Sequence, residues 1–180
     1  MHTPEHVLPA EEGFPWWIAA EGEQATEALG HRLGTALRGG EIVLLFGRLG
    51  AGKTCLTRGL CRGLGISEDV VSPTFTLVNT YRGKLVVHHL DFYRIGPDAP
   101  LEDIGVMEIL DEVEEGRAVL VAEWPDPLLP ELTDLQPVYS WLGVAGARPQ
   151  ERIWRLKADS QAADDMATDL GLQRERERDA

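Results

Sequence analysis

The residues with the clearest chemical meaning form the segment Gly47-Arg-Leu-Gly-Ala-Gly-Lys-Thr54, which matches G-x-x-x-x-G-K-[ST] at every fixed position. Glycines allow the backbone to curl so that successive N–H groups point at phosphate oxygens. Lys53 would bring a positive charge to the β- and γ-phosphates, and Thr54 would offer a hydroxyl to Mg²⁺. These residue types in this order predict a binding site for a nucleoside triphosphate.

The segment also has the local context that a phosphate-binding loop requires. An apolar run over residues 42–46 directly precedes it, as expected of a strand buried on both faces of a parallel sheet. A helical pattern with Leu56, Leu60 and Leu64 on one face directly follows it. The sequence contains no Asn-Lys-x-Asp motif, which excludes a G protein that reads guanine in the usual way.

Magnesium at such a site needs a carboxylate, usually from the carboxyl end of a neighbouring strand. Two further runs resemble buried strands, over residues 85–90 and 118–122, and each is followed by a carboxylate. These carboxylates are Asp91 and Glu123. Their positions in the sequence do not indicate which of the two would bind Mg²⁺.

Other periodic patterns indicate the elements that position these groups. Apolar residues recur with helical spacing over 20–37, and residues 97–115 are typical of a loop with one or two short acidic helices. Runs over 138–142 and 152–156 indicate an antiparallel pair of strands. The predicted fold is α/β, with a P-loop NTPase-like, partly parallel sheet flanked by helices and a C-terminal antiparallel extension.

The predicted domain organisation has three parts. Residues 1–19 are proline-rich at the start and lack periodicity, so we expect a loose N-terminal arm. Residues 20–157 should form the P-loop ATPase domain. Residues 158–180 are polar and end in Arg-Glu-Arg-Glu-Arg-Asp-Ala, which favours a frayed helix or a disordered tail.

Composition restricts the class of protein. With 43% apolar residues the chain can form a core, and 17 basic against 30 acidic residues give a net charge of −13. Such an acidic protein is a poor candidate for a broad contact with a nucleic-acid backbone. The N-terminus lacks a signal-peptide pattern and no apolar run approaches the roughly 20 residues of a membrane helix, so a cytoplasmic protein without membrane contact is expected. The two cysteines and the pair His88-His89 have no metal-binding spacing and are interpreted as packing or surface residues.

Three further segments, in this order after the loop, resemble one family. They are Ser72-Pro-Thr-Phe-Thr-Leu-Val78, His89-Leu-Asp-Phe-Tyr-Arg94 and Glu123-Trp-Pro-Asp126. Together they resemble the TsaE (YjeE) family, over about residues 20–157. The resemblance implies an ATPase that uses ATP and Mg²⁺ and acts with the TsaB and TsaD proteins. That pair modifies the adenosine beside the anticodon of tRNAs that read codons starting with A, so tRNA would be bound mainly through the complex.

The resemblance also implies roles for individual residues. Thr54 and Glu123 would hold Mg²⁺, and Asp91 would act in hydrolysis together with Lys53 and Glu123. Thr74 would lie near the γ-phosphate in a segment that responds to the nucleotide. The remaining nucleotide contacts would come from Glu23, Leu49, Gly50, Ala51, Gly52, Lys53, Thr54, Trp124 and Arg152. Arg48 departs from the family pattern, which usually has Asp at that position.

Two alternatives remain at this stage. A small-molecule P-loop kinase would fit the length and fold, with Arg82 and Arg94 as weak candidates for a lid. A binding module that uses ATP only as a conformational ligand would fit the same motifs. Phosphate transfer to a metabolite would favour the first, and function without hydrolysis would favour the second.

Overall fold

The described part of the chain contains one β-sheet, built from short strands, and four α-helices. The computed structural model describes residues 6–96, 101, 104–135, 137–158 and 161–175. Within these ranges the strands are β1 (Trp16–Glu21), β2 (Ile42–Gly47), β3 (Val78–Arg82), β4 (Val86–Asp91), β5 (Ala118–Glu123), β6 (Val138–Ala145), β7 (Glu151–Ala158) and β8 (Gln173–Arg174). The helices are α1 (Gly22–Ala36), α2 (Lys53–Gly63), α3 (Val106–Glu114) and α4 (Gln161–Asp169).

The described strands form an eight-stranded sheet in the order β3-β4-β5-β2-β6-β7-β1-β8. Strands β4, β5, β2 and β6 are parallel to one another, so their carboxyl ends meet at one edge. Strand β3 is antiparallel to β4, and β6, β7, β1 and β8 continue as an antiparallel set. The predicted partly parallel sheet with an antiparallel extension is confirmed.

Side chains of β2 point alternately to the two faces of the sheet and contribute to a hydrophobic core on each face. Val43 and Leu45 pack with leucines of α1 and α2 on one face of the sheet, where α4 also contributes. Ile42 and Leu44 pack on the other face with apolar residues of α3. All six residues of β2 are buried, as expected of a central parallel strand. Among the helices of the described residues, none combines the length and apolarity needed to cross a bilayer.

Helices α1 and α2 approach each other closely because glycines lie at their contact. Gly30 and Gly34 in α1 face the backbone of α2, and Gly59 and Gly63 in α2 face the backbone of α1. A Cβ atom added at Gly59 would lie 2.1 Å from the carbonyl oxygen of Glu27, far inside van der Waals contact. This close contact positions the first turn of α2, which carries the phosphate-loop lysine and threonine.

The prediction of a loose arm over residues 1–19 is wrong for its second half. Residues 16–19 belong to β1, whose residue Trp16 pairs with Leu156 of β7. Phe14 is buried in the core on the α3 face. Only Ala20 of its six residues is buried, so the pairing with β7 along the whole strand is its main stabilising contact. Residues 1–5 lie outside the described residues.

The tail over 158–180 was predicted as a frayed helix or disorder, and where the structure describes it a helix is present but is packed into the core. Residues 161–169 form α4, and β8 pairs with β1. Met166, Leu170 and Leu172 are buried in the same core as α1 and α2. A few apolar residues are enough to hold this segment in place, because they pack against an apolar surface that the sheet and the other helices already form. Residues 159–160 and 176–180 lie outside the described residues.

Candidate functional site

The glycine-rich loop joins β2 to α2 and lies at the edge where the parallel strands end. Gly47, Gly50 and Gly52 have φ angles of 136°, 79° and 97°, a region that favours glycine over residues with a Cβ atom. At Gly47 a Cβ atom would also lie 2.6 Å from the carbonyl oxygen of Gly143 on β6. The loop leads directly into the N-terminus of α2, where unpaired amide groups and the helix dipole favour an anion.

Lys53, the first residue of α2, is only 4% exposed. Its Nζ donates hydrogen bonds to the carbonyl oxygens of Gly47 (2.8 Å) and Arg48 (3.2 Å). The same atom lies 3.8 Å from the ring centroid of Trp124. Burial lowers the pKa of Lys53 from 10.5 to about 8, although the nearby carboxylates of Glu123 and Asp91 oppose the shift. The ammonium group is thus held against the loop by two neutral carbonyl oxygens and an aromatic ring, and a charged phosphate could replace these contacts.

Thr54 and Glu123 meet at the end of β5. The Thr54 hydroxyl donates to Oε1 of Glu123 at 2.8 Å, and the carboxylate is nearly buried. A hydroxyl and a carboxylate in contact provide the oxygen ligands that Mg²⁺ prefers, so this pair fits the predicted metal site. His89 of β4 also contacts Oε1 of Glu123, at 3.0 Å through Nε2. The interpretation of His89 as ordinary packing missed this contact, although its spacing of two from Asp91 places both residues on one face of a strand.

Asp91 lies beside Glu123 because the two residues are register partners of the parallel strands β4 and β5. Its Oδ2 accepts hydrogen bonds from the hydroxyls of Thr74 (2.7 Å) and Ser72. Its Oδ1 accepts one from the backbone N–H of Tyr93 at 2.9 Å. The segment that includes Thr74 is therefore linked directly to the carboxylate at the end of β4.

Trp124 follows β5 in a conformation that is rare for residues with a side chain. Its φ is 54°, a left-handed value that costs about 1–2 kcal/mol. The ring is 8% exposed and lies against Lys53. The rings of His6 and Tyr93 also contact it, with centroid separations of 4.7 Å and 5.2 Å. The structure thus brings together Trp124, Lys53, Thr54, Thr74, Asp91 and Glu123.

The other predicted contacts lie around this cluster. The guanidinium Nη2 of Arg152 is 3.3 Å from the carbonyl oxygen of Gly50, so β7 reaches the loop. Glu23 of α1 instead pairs with Arg58 at 2.7 Å, and its side chain is 68% exposed. The side chain of Leu49 is exposed, while Ala51 is buried. Glu23 is therefore beside α2, and its carboxylate is engaged away from the cluster around Lys53.

A groove of about 1330 Å³ opens beside the loop, towards β6, β7 and the N-terminal segment. Its lining includes Arg48, Leu49, Gly50 and Arg152. Among the described residues, those that line it do not include Lys53, Asp91 or Glu123. The groove therefore adjoins the outer side of the loop, and the cluster of charged groups lies at the strand ends.

We expect Lys53→Met to raise the free energy of unfolding of the protein without nucleotide at pH 7 by roughly 1–3 kcal/mol. The folded pKa of about 8 lies below the ordinary value of 10.5, so the charged lysine opposes folding. That penalty is complete below pH 8 and disappears as the pH rises to 10.5, because the unfolded chain binds more protons in that window.

Denaturant unfolding at pH 7 and pH 10.5 measures this difference. Lys84→Met is the matched control, because Lys84 is exposed and its replacement should have little effect at either pH. A Lys53→Met variant that is less stable than the wild type at pH 7 would contradict the prediction. A stability difference between Lys53→Met and the wild type that is larger at pH 10.5 than at pH 7 would also contradict it.

Comparisons with known proteins agree with the motifs. The family model described as threonylcarbamoyl adenosine biosynthesis protein TsaE matches residues 20–146. Two relatives named tRNA threonylcarbamoyladenosine biosynthesis protein TsaE come from Treponema pallidum and Synechocystis. The first is 41% identical over 111 residues, 62% of this chain and 79% of that protein. The second is 44% identical over 105 residues, 58% of this chain and 66% of that protein.

A solved structure, YdiB of Bacillus subtilis, is similar over the whole fold. The TM-score is 0.66, with 95% of this chain and 97% of that chain covered. At 23% sequence identity this similarity shows the fold alone. The family match, by contrast, extends over more than half of the sequence and includes the loop, Asp91 and Glu123. The chain belongs to the TsaE family.

Proposed function

We propose that the chain is the ATP-binding and ATP-hydrolysing component of tRNA threonylcarbamoyladenosine biosynthesis and acts with TsaB and TsaD. The observation that carries the proposal is the meeting of Lys53, Thr54, Asp91 and Glu123 where the parallel strands end. Ligands bind at this edge in open α/β sheets. The family's name supports the pathway.

Each residue of the cluster has a distinct part in the proposed reaction. The loop amides and Lys53 bind the phosphates, and Lys53 leaves the carbonyl oxygens that it now contacts. Thr54 and Glu123 hold Mg²⁺, which when bound neutralises charge on the β- and γ-phosphates. Asp91 orients the water that attacks the γ-phosphate and accepts its proton. Thr74 donates a hydrogen bond to the Asp91 carboxylate, so the position of the segment that carries Thr74, before β3, is coupled to hydrolysis.

The charge distribution favours a component that works through partners. A net charge of −13 disfavours a wide direct contact with tRNA, so TsaB and TsaD would hold most of the tRNA. We propose the cytoplasm as its location, where tRNA modification takes place. We expect ATP hydrolysis by this chain to be slow, or to need activation by TsaB and TsaD. Those two proteins, and not this chain, would carry out the transfer of threonylcarbamoyl.

Measuring ATP turnover by the purified chain, first alone and then with the TsaB–TsaD pair, tests this proposal. We expect low turnover alone and a several-fold increase with the pair. Lys53→Ala serves as the blank and should lower turnover by about 10²–10³-fold, the effect of removing one stabilising donor. No response to the pair, together with steady phosphate transfer to a metabolite, would contradict the proposal and favour a small-molecule kinase.

A further inference from the structure

His89 makes a contact that its place in the core does not require. The imidazole is fully buried, and its Nε2 lies 3.0 Å from Oε1 of Glu123. The Thr54 hydroxyl donates to that same oxygen at 2.8 Å. Two side chains from different elements, β4 and α2, therefore converge on Oε1. No described residue donates a hydrogen bond to Oε2, so this oxygen is available to a further ligand.

We propose that His89 is a positioning residue for the Glu123 carboxylate, which it holds by a hydrogen bond from Nε2 so that Oε2 is presented to Mg²⁺. This inference rests on the proposed function and extends the site by one residue. His89 acts through Glu123 and touches neither nucleotide nor metal. Mutation of a partner that orients a metal ligand typically lowers metal affinity by about 10–100-fold.

Of the two ring nitrogens of His89, only Nε2 has a hydrogen-bond partner among the described residues. Nδ1 of His89 is buried and has no hydrogen-bond partner among the described residues. A carboxylate oxygen can only accept a hydrogen bond, so the ring nitrogen that faces Oε1 of Glu123 must be the donor, and that nitrogen is Nε2. The contact with Glu123 therefore requires a donor at this position of the side chain.

The neighbouring histidine provides a matched control. His88 faces the opposite side of β4, where its Nε2 lies 2.9 Å from Oε2 of Glu112. Its Nδ1 contacts the hydroxyl of Thr80, and the Glu112 side chain is 38% exposed. His88 thus makes the same kind of histidine–carboxylate contact on the same strand, away from the phosphate loop.

The test compares His89→Leu, His89→Gln and His88→Leu by calorimetric titration with β,γ-imido-ATP, at increasing Mg²⁺ and in EDTA. We expect His89→Leu to raise the Mg²⁺ concentration for half-maximal enhancement of binding by about 10–100-fold. Binding in EDTA should not change, because the loop and Lys53 remain intact. His89→Gln keeps a donor near the Nε2 position and should restore most of the Mg²⁺ response. His88→Leu should titrate as the wild type does.

Three results would overturn the inference. They are a His89→Leu variant with the wild-type Mg²⁺ response, an equal loss of binding in Mg²⁺ and in EDTA, and a folded His89→Gln variant no better than His89→Leu. Thermal unfolding of each variant identifies those that fold, and His89→Gln keeps the test decisive if His89→Leu does not fold. A wild-type chain that binds no nucleotide would overturn the proposed function, and the inference with it. A wild-type response to Mg²⁺ retained by His89→Leu would overturn the inference alone.

Discussion

Replacing Asp91 by Asn is expected to lower ATP turnover by about 10²–10⁴-fold, the range for loss of a general base, and to leave nucleotide affinity almost unchanged. The carboxylate is 2% exposed and lies at the end of β4 beside Glu123. Asn keeps an oxygen that can accept the Tyr93 N–H, so the local fold should survive. It loses the charge that would orient water and take its proton. Steady-state turnover and calorimetric titration separate these effects.

The matched control is Glu112→Gln, which removes a carboxylate bound to the histidine His88 of the same strand but outside the cluster. Its turnover should equal that of the wild type. Turnover by Asp91→Asn close to the wild-type value would contradict the hydrolytic role of Asp91. If Asp91→Ala binds ATP without hydrolysis and still supports normal tRNA modification, ATP is a conformational ligand, and the chain functions as an ATP-gated binding module.

Gly59→Ala is expected to lower the free energy of unfolding by about 2 kcal/mol or more, despite the better helix propensity of alanine. Propensity alone would favour alanine by about 1 kcal/mol. The added Cβ atom, however, would lie 2.1 Å from the carbonyl oxygen of Glu27, and backbone atoms cannot rotate away as a side chain can. Relief of this overlap requires α2 to move away from α1. Denaturant unfolding measures the loss.

Since α2 also carries Lys53 and Thr54, the same variant should bind nucleotide more weakly. Gly13→Ala provides the control, because a Cβ atom there would have no neighbour within 4 Å and the backbone is not left-handed. Its stability should be within a few tenths of a kcal/mol of the wild type. A Gly59→Ala variant as stable as Gly13→Ala would show that the two helices can separate without cost.

The local patterns of the sequence were sufficient for the loop and for the elements on either side of it. The strand β2 and the helix α2 follow from a continuous apolar run and from leucines with helical spacing, both of which depend on residues close in the chain. The carboxylates after the runs that became β4 and β5 were also visible. The local pattern did not assign Mg²⁺ to either, because that choice depends on which carboxylate faces Thr54.

Four features were decided only by contacts between distant segments. Most of strand β1 lies in the predicted loose arm, and helix α4 lies in the tail predicted as a frayed helix or disorder. Their order could not be predicted locally because it comes from β7 and from the sheet surface that they cover. The glycines of α1 and α2 weaken isolated helices, and only the approach of the two backbones explains their presence. The contact of His89 with Glu123 depends on the pairing of β4 with β5.

The amino-acid sequence alone was enough to predict the phosphate loop and the central strand and helix, because short-range backbone geometry and side-chain periodicity specify them. The three further motifs were recognised by their resemblance to a family. Only the fold shows which carboxylate meets the Thr54 hydroxyl, which histidine contacts that carboxylate and how the terminal segments complete the sheet. Strand register and helix approach bring together residues that are far apart in the chain. No local pattern encodes those distances.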